Sequence, residues 1–214
     1  MKKITSEIAR IHAHICGDGC VYIKMLKRSP KELASHRRKN IFEKIWVMEY
    51  TNTSEILRNE FIEDIKKAFN RKCYDYSKYK RVVLTHCKWI IKKLDLEGKN
   101  SYNWDVYRKT TSNKPVLAAW LRAFFDDEAT VNTKQRMIRI KSMNKKGLQQ
   151  VSFMLNKLGI YSKITGQNSD HSWYLNLYKN DLKIYGDKIG FLHPSKKEKL
   201  FLILKEWARR DLNS

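Results

Sequence analysis

The sequence predicts an α+β protein made of two pseudo-symmetric units, each running helix, two strands, helix, two strands, helix. Three observations carry this. The segments Ile11–Gly19 (IHAHICGDG) and Leu121–Ala129 (LRAFFDDEA) lie 110 positions apart and follow one pattern. Each starts on apolar and small residues, as a packed helix does, and each ends with an acid at the matching place, Asp18 and Glu128. Such self-similarity dictates architecture before any other signal. Strand-like and helix-like periods then follow both segments in the same order. Finally, 214 residues suffice for two cores of about 100 residues each.

The elements follow in order. After Gly19, Cys20–Met25 alternates, placing Val21, Ile23 and Met25 on one side and Tyr22 and Lys24 on the other. The polar, basic stretch from Pro30 to Asn40 reads as a hairpin loop, and Ile45–Thr51 as the returning strand. Ser54 opens a helix whose apolar positions Ile56, Leu57, Phe61, Ile65 and Phe69 keep helical spacing. Lys80–Thr85 is strand-like and Trp89–Leu94 a short helix. Polar and glycine-containing residues mark Glu97–Asn113 as a linker, giving units at 1–96 and 114–214. Pro115 suits the first turn of the second motif helix. Beyond it, Arg136–Ser142 alternates and Lys145–Leu158 is amphipathic, ending at Gly159. Tyr161–Thr165 and Trp173–Tyr178 flank a Gly166–Asp170 turn, and helices follow at Asp181–Ile189 and Pro194–Arg210.

Charge narrows the partner. Forty-four Lys and Arg against 22 Asp and Glu give +22, a surplus of ten up to Asp105 and twelve after it. A positive field spread over both halves favours a polyanion, and nucleic acid above all. The N-terminus has no apolar run long enough for a signal peptide or a membrane span, so the expectation is an intracellular, soluble protein. Cys16, Cys20, Cys73 and Cys87 include no C-x-x-C pair and read as reduced, mostly buried thiols. His12 and Cys16 stand i,i+4 on one helix face, a spacing zinc could use. The second segment offers no counterpart, so His12, His14 and Cys16 are read as packing against the partner helix.

Alternation also divides the strands into two faces. Val21, Ile23, Met25, Ile138, Ile140, Leu175 and Leu177 are expected to face the helices. The other face then carries Tyr22, Lys24, Arg28, Arg139, Lys141, Tyr174, Asn176 and Tyr178, residue types that reach phosphates and base edges. Arg37, Arg38, Lys80, Arg81, Arg136, Lys163 and Gln167 complete the DNA-binding candidates. Asp18 and Glu128, brought together by the pseudo-symmetry, are the candidate metal ligands, because paired carboxylates hold Mg²⁺ beside a phosphodiester.

The two segments resemble the LAGLIDADG motif. Ile11, Ala13, Ile15, Gly17, Asp18 and Gly19 fit the first copy, and Leu121, Ala123, Phe124, Phe125, Asp126 and Glu128 the second, with Ala129 in place of the closing glycine. The chain is similar over nearly its whole length to the monomeric, two-motif, intron-encoded LAGLIDADG homing endonucleases. The resemblance implies a saddle-shaped antiparallel β-surface over DNA, with the motif helices packed at the boundary of the units. It implies site-specific hydrolysis of both strands of a long recognition site, by a monomer using Mg²⁺ or another divalent cation. Asp18 and Glu128 would hold the metal, with the carbonyls of Gly17 and Asp127 completing its shell, and Lys141 would assist catalysis. Asp126 matches the motif's earlier, structural acid. No lysine matches Lys141 in the first unit, where Asn52 is the candidate for positioning water. The alternatives are a maturase that binds intron RNA and a DNA-binding protein without catalysis.

Overall fold

The computed structural model describes residues 4–29 and 41–211. The expected Pro30–Asn40 loop, with Arg37 and Arg38, lies outside the described residues. The first unit contains α1 (Ser6–Cys16), β1 (Gly19–Lys27), β2 (Phe42–Thr51), α2 (Glu55–Phe69), β3 (Tyr74–Tyr76), β4 (Arg81–Thr85) and α3 (Lys88–Lys93). Thr5 caps α1 by accepting from the Ile8 amide at 3.4 Å, and α2 stops at Asn70, which takes the left-handed conformation at φ 51°. A 3-10 turn at Arg108–Ser112 leads into the second unit. This contains α4 (Lys114–Glu128), β5 (Ala129–Asn132), β6 (Met137–Ser142), α5 (Lys145–Lys157), β7 (Lys163–Thr165), β8 (Trp173–Tyr178), α6 (Asn180–Lys188) and α7 (Pro194–Asp211).

The internal repeat holds in the order of both sheets, and the second unit adds a helix, α7. Two four-stranded antiparallel sheets carry the orders β1-β2-β4-β3 and β5-β6-β8-β7. Their registers also agree: Gly19 pairs with Tyr50 as Ala129 pairs with Ile140. Thr51 and Lys141 therefore hold equivalent places beside the two acids, as do Asn52 and Ser142. Strand β5 has no clear signature in sequence, because four residues are too few for an alternation to show.

One apolar cluster, from Ile4 on to Ile203, runs through both units without a break. At its centre Trp120 stacks on Phe124 with ring centroids 4.9 Å apart, and Trp104 meets Phe124 at 4.8 Å. Trp104 belongs to the connecting segment, which is more than a polar strap. Trp104 and Val106 are buried, and the Asn144 side chain donates to the Trp104 carbonyl at 2.6 Å. Two apolar residues in a polar stretch thus dock the segment onto the second unit. Among the described residues, no helix is long and apolar enough to cross a membrane.

The inward sheet face follows the alternation in the second unit, where Ile138, Ile140, Leu175 and Leu177 are fully buried. In the first unit it holds at Val21, half-buried against the core, and fails beyond it. Ile23 and Met25, expected to face the helices, are 49% and 53% exposed, and β1 is exposed on both faces from Tyr22 to Lys27. A nine-residue strand spans about 30 Å, so the hairpin runs out beyond the helices that back its base.

The corner between α1 and β1 is tight. A Cβ on Gly19 would lie 2.5 Å from the Ile15 Cα, a backbone atom that cannot step aside. Gly19→Ala is expected to lower stability by about 1–3 kcal/mol, read from the midpoint of chemical denaturation. An unchanged midpoint would mean that this corner has room that the structure denies.

Candidate functional site

Helices α1 and α4 pack side by side and end at the same level. At their C-terminal ends a Cβ on Gly17 would stand 2.9 Å from the Asp127 Cβ, so the first helix needs glycine there. The histidines of the first segment face the partner helix. His12 Nδ1 accepts from the Trp120 indole at 3.0 Å, and burial lowers its pKa to about 3, leaving the neutral ring that this bond requires. His14 Nδ1 lies 2.8 Å from Asp127 Oδ2. Burial opposes the charge on His14, but Asp127 and Glu60 outweigh it and raise the pKa to about 9. Cys16 Sγ lies 3.5 Å from His12 Nδ1.

Asp18 and Glu128 leave these two helix ends into neighbouring hollows. Asp18 opens into one of about 380 Å³, lined by Asn52, Lys80, Asp127, His193 and Lys196. Its backbone carbonyl accepts from the Thr51 amide at 3.1 Å, and its carboxylate accepts from Asn52 Nδ2 at 2.8 Å. Glu128 opens into another of about 230 Å³, with Gly17, Lys141, Ser142 and Ser172. Partial burial and then the charge of Asp127 raise the Asp18 pKa to about 6; burial, Asp18 and Asp127 raise that of Glu128 to about 7. Each acid is crowded by negative charge at the negative ends of two helix dipoles.

A cation already answers part of that charge. Lys196, near the start of α7, points its ammonium at the last carbonyls of α4, 3.3 Å from Phe125 O, 2.5 Å from Asp126 O and 3.1 Å from Asp127 O. Burial lowers its pKa, against the opposing pull of Asp127, Asp126, Asp18 and Glu128. Sequence reasoning missed Lys196, since nothing in the run Lys196-Lys-Glu-Lys199 marks one lysine from its neighbours. The donor set suits a divalent cation: two crowded carboxylates facing helix C-termini. Among the described residues no group of three or more His, Cys, Asp or Glu side chains is disposed to hold one. Further ligands would therefore come from backbone, water or a bound phosphate.

The two acids preceding Glu128 turn away from it. Asp126 is buried and accepts from the Leu192 amide at 3.0 Å and the His193 amide at 2.9 Å, while pairing with Arg122 at 3.0 Å. It thereby fixes the entry of α7, and with it Lys196. Asp127, a candidate ligand through its carbonyl, instead offers that carbonyl to Lys196. Its fully buried carboxylate crosses into the first unit, accepting from Tyr50 OH at 2.7 Å and Asn52 Nδ2 at 3.3 Å. Lys141 stands at the rim of the Glu128 hollow with its ammonium on Asp170 at 2.5 Å.

The sheet-face candidates differ in how they are held. Lys24, Lys80, Lys163, Gln167 and Tyr178 are exposed. Tyr22 OH donates to Glu49 at 3.0 Å, Arg28 pairs with Glu43 at 2.6 Å and Arg136 with Glu206 at 3.2 Å. Arg81 lies against Tyr76 and Tyr79, and Arg139 over Tyr174. Asn176 corrects the sequence reading. It is 1% exposed, accepting from Arg139 Nε at 2.8 Å and donating to Lys163 O at 3.3 Å and Thr165 Oγ1 at 3.2 Å. With its amide spent inside the sheet it supports Arg139 and has nothing left for a base edge.

Known proteins share the fold of this chain in part or in whole. Residues 115–190 match the family model described as a LAGLIDADG-like domain. Over 101 residues the chain is 30% identical to glutamine–fructose-6-phosphate aminotransferase (isomerizing) of Methanocaldococcus jannaschii. That match covers 44% of this chain and only 9% of the other protein. Among solved structures, I-DmoI in complex with DNA and Ca superposes with a TM-score of 0.64 at 19% identity, over 93% of this chain and 98% of that one. I-DmoI with DNA and Mn gives 0.58 at 20% identity, over 86% and 96%. Full-length DUF199/WhiA from Thermatoga maritima gives 0.56 at 12% identity, over 100% and 66%. At these identities the structural likeness is one of fold. The second unit thus matches the LAGLIDADG-like domain model, and the whole chain has the two-unit α+β fold of I-DmoI.

Proposed function

We propose that the chain is a site-specific double-strand DNA endonuclease, hydrolysing one phosphodiester on each strand of a long recognition site as a monomer with a divalent cation, Mg²⁺ among the candidates. The observation that carries this is the convergence of Asp18 and Glu128, one from each unit, at the joined ends of α1 and α4. The solved I-DmoI complexes with DNA and Ca or Mn support the partner and the cation class.

Each side chain has a physical task in this reading. Asp18 and Glu128 hold the cation, which supplies charge neutralisation at the phosphate and a more acidic water. Asn52 fixes the rotamer of Asp18 through its 2.8 Å bond. Exposed Lys80 lines the Asp18 hollow and can meet a negative phosphate, while Lys141 at the Glu128 hollow would have to leave Asp170 to do so. The two hollows are unlike, with Asn52 in one at the place of Ser142 in the other, so the two strands meet different surroundings. Readings without chemistry, an intron-RNA-binding maturase or a DNA-binding protein that does not cut, leave the crowded acids without a task. Uncompensated carboxylates cost stability.

The test starts from duplexes that the protein selects out of a randomised pool in the presence of a chelator. Adding Mg²⁺ or Mn²⁺ should then cut both strands of the selected site. Asp18→Asn and Glu128→Gln keep shape but lose charge, so binding should persist while cleavage falls by several orders of magnitude. A Glu128→Gln protein that cuts both strands at near wild-type rate would remove Glu128 from the site.

Two further outcomes separate binding and folding from chemistry. Lys24→Ala and Lys163→Ala should each flatten the salt dependence of binding by about one ion; slopes equal to wild type would take those lysines off the interface. Asp127→Asn should lower stability by about 3 kcal/mol, because it removes the buried charge that faces His14 and accepts from Tyr50 and Asn52. Unchanged thermal unfolding would show that the His14–Asp127 pair is not a charged contact.

A further inference from the structure

We propose that Arg81 and Arg139 each read a guanine in the DNA major groove, one from each sheet, rather than serving as general phosphate contacts. This rests on the DNA-binding reading above and adds base-level specificity to it. Arg81, on β4, has its guanidinium 5.2 Å from the centre of the Tyr76 ring and 5.4 Å from that of Tyr79. Its Nη1 lies 3.5 Å from Glu49, whose other oxygen is held by Tyr22 OH at 3.0 Å. Arg139, on β6, lies 4.5 Å over the Tyr174 ring, and its Nε donates to Asn176 at 2.8 Å. Asn176 is itself anchored from inside the sheet by Lys163 O and Thr165 Oγ1.

These two side chains are thus held in place before any ligand binds. A phosphate needs only a nearby positive charge, which a swinging lysine such as exposed Lys24 supplies with no preparation. Holding an arginine over a ring and against a neighbouring oxygen loses rotamer freedom before DNA arrives. That loss is offset where the ligand demands a plane and two parallel donors. Among base edges in the major groove, guanine presents the matching pair of acceptors, N7 and O6. The inner nitrogens are also disposed for this. Arg139 Nε is engaged by Asn176 and Arg81 Nε is buried, so each presents its Nη groups to a ligand, with Glu49 3.5 Å from Arg81 Nη1 and the Met137 sulfur 3.9 Å from Arg139 Nη2 beside them. Arg28 and Arg136 are held more closely by acids: Glu43 takes both Nε and Nη2 of Arg28, at 3.2 and 2.6 Å, and Glu206 stands 3.2 Å from Arg136 Nη2, against 3.5 Å between Glu49 and Arg81 Nη1.

The test compares base preferences of wild type, Arg81→Lys and Arg139→Lys, each selecting from a randomised duplex pool in chelator. Lysine keeps the charge and most of the stem at these partly exposed sites but lacks the planar fork. Each variant should lose preference for guanine at one position, a different one for each, by roughly 5- to 150-fold, with the other positions unchanged. Tyr174→Leu, which frees Arg139 without removing it, should weaken preference at the position that Arg139→Lys affects. Variants that bind all sequences more weakly but keep the wild-type profile would overturn the proposal while leaving the DNA-binding reading intact. So would a lost preference for a base other than guanine. A wild-type protein that selects no sequence would overturn both.

Discussion

The close approach of α1 and α4 is the constraint on which the rest of this structure depends. Gly17 leaves no space between its helix and Asp127, and that contact lies one residue before each acid. Because both strands leave the helices immediately, the register of each sheet is counted from the same point: Gly19 opposite Tyr50, Ala129 opposite Ile140. A shift of one residue at either helix end would turn every strand side chain to the other face. The position of the acids and the identity of the outward-facing residues are therefore set by one contact.

Beneath that contact the helices are joined by charge as well as by apolar packing. Asp64 of α2 holds Arg10 of α1 in two bonds of 2.6 and 2.7 Å, and Glu60 of α2 takes Arg122 of α4 at 2.6 Å. Arg122 continues to Asp126 and so to the start of α7. A second branch runs from Glu60 through His14 to Asp127 and Asn52, reaching Asp18. Buried ion pairs add little net stability, but breaking one is expensive. Such a network penalises a sliding or rotated helix pair far more than an apolar interface would. It supplies the geometric uniqueness that paired carboxylates need.

Much of this was legible in the sequence, for identifiable reasons. Two matching segments, each with one terminal acid, are enough to predict the duplicated topology, since periodicity and repeats report backbone order. Asp126 could be read as structural because the motif has two acids with separate places. Other features depend on what lies across the interface. Asp127 enters the sequence reading only through its carbonyl, because the partners of its carboxylate, Tyr50 and His14, stand 77 and 113 positions away. Lys196 sits among other lysines and is singled out only by the α4 carbonyls it meets. Ile23 and Met25 alternate as a buried face does, yet alternation cannot tell how far the backing helices extend. Asn176 lies on the outward face by parity, and only the tie to Arg139 shows that its amide is consumed.

The electrostatics of the molecule divide along the same line. A surplus of 22 positive charges draws in a polyanion, but the centre of the surface gathers Asp18, Glu128 and the carbonyl ends of two helices. A phosphate drawn there by the outer field would meet repulsion at the last step. Lys196 relieves part of it from behind, where its ammonium is bound to carbonyls and half hidden from the hollow. The remainder can be met only from the open side, by a mobile cation that arrives with the DNA or before it. On the proposed reading, the fold makes its own centre unfavourable for DNA alone and favourable for DNA with metal. That is the condition under which tight binding and hydrolysis can be controlled separately on one surface.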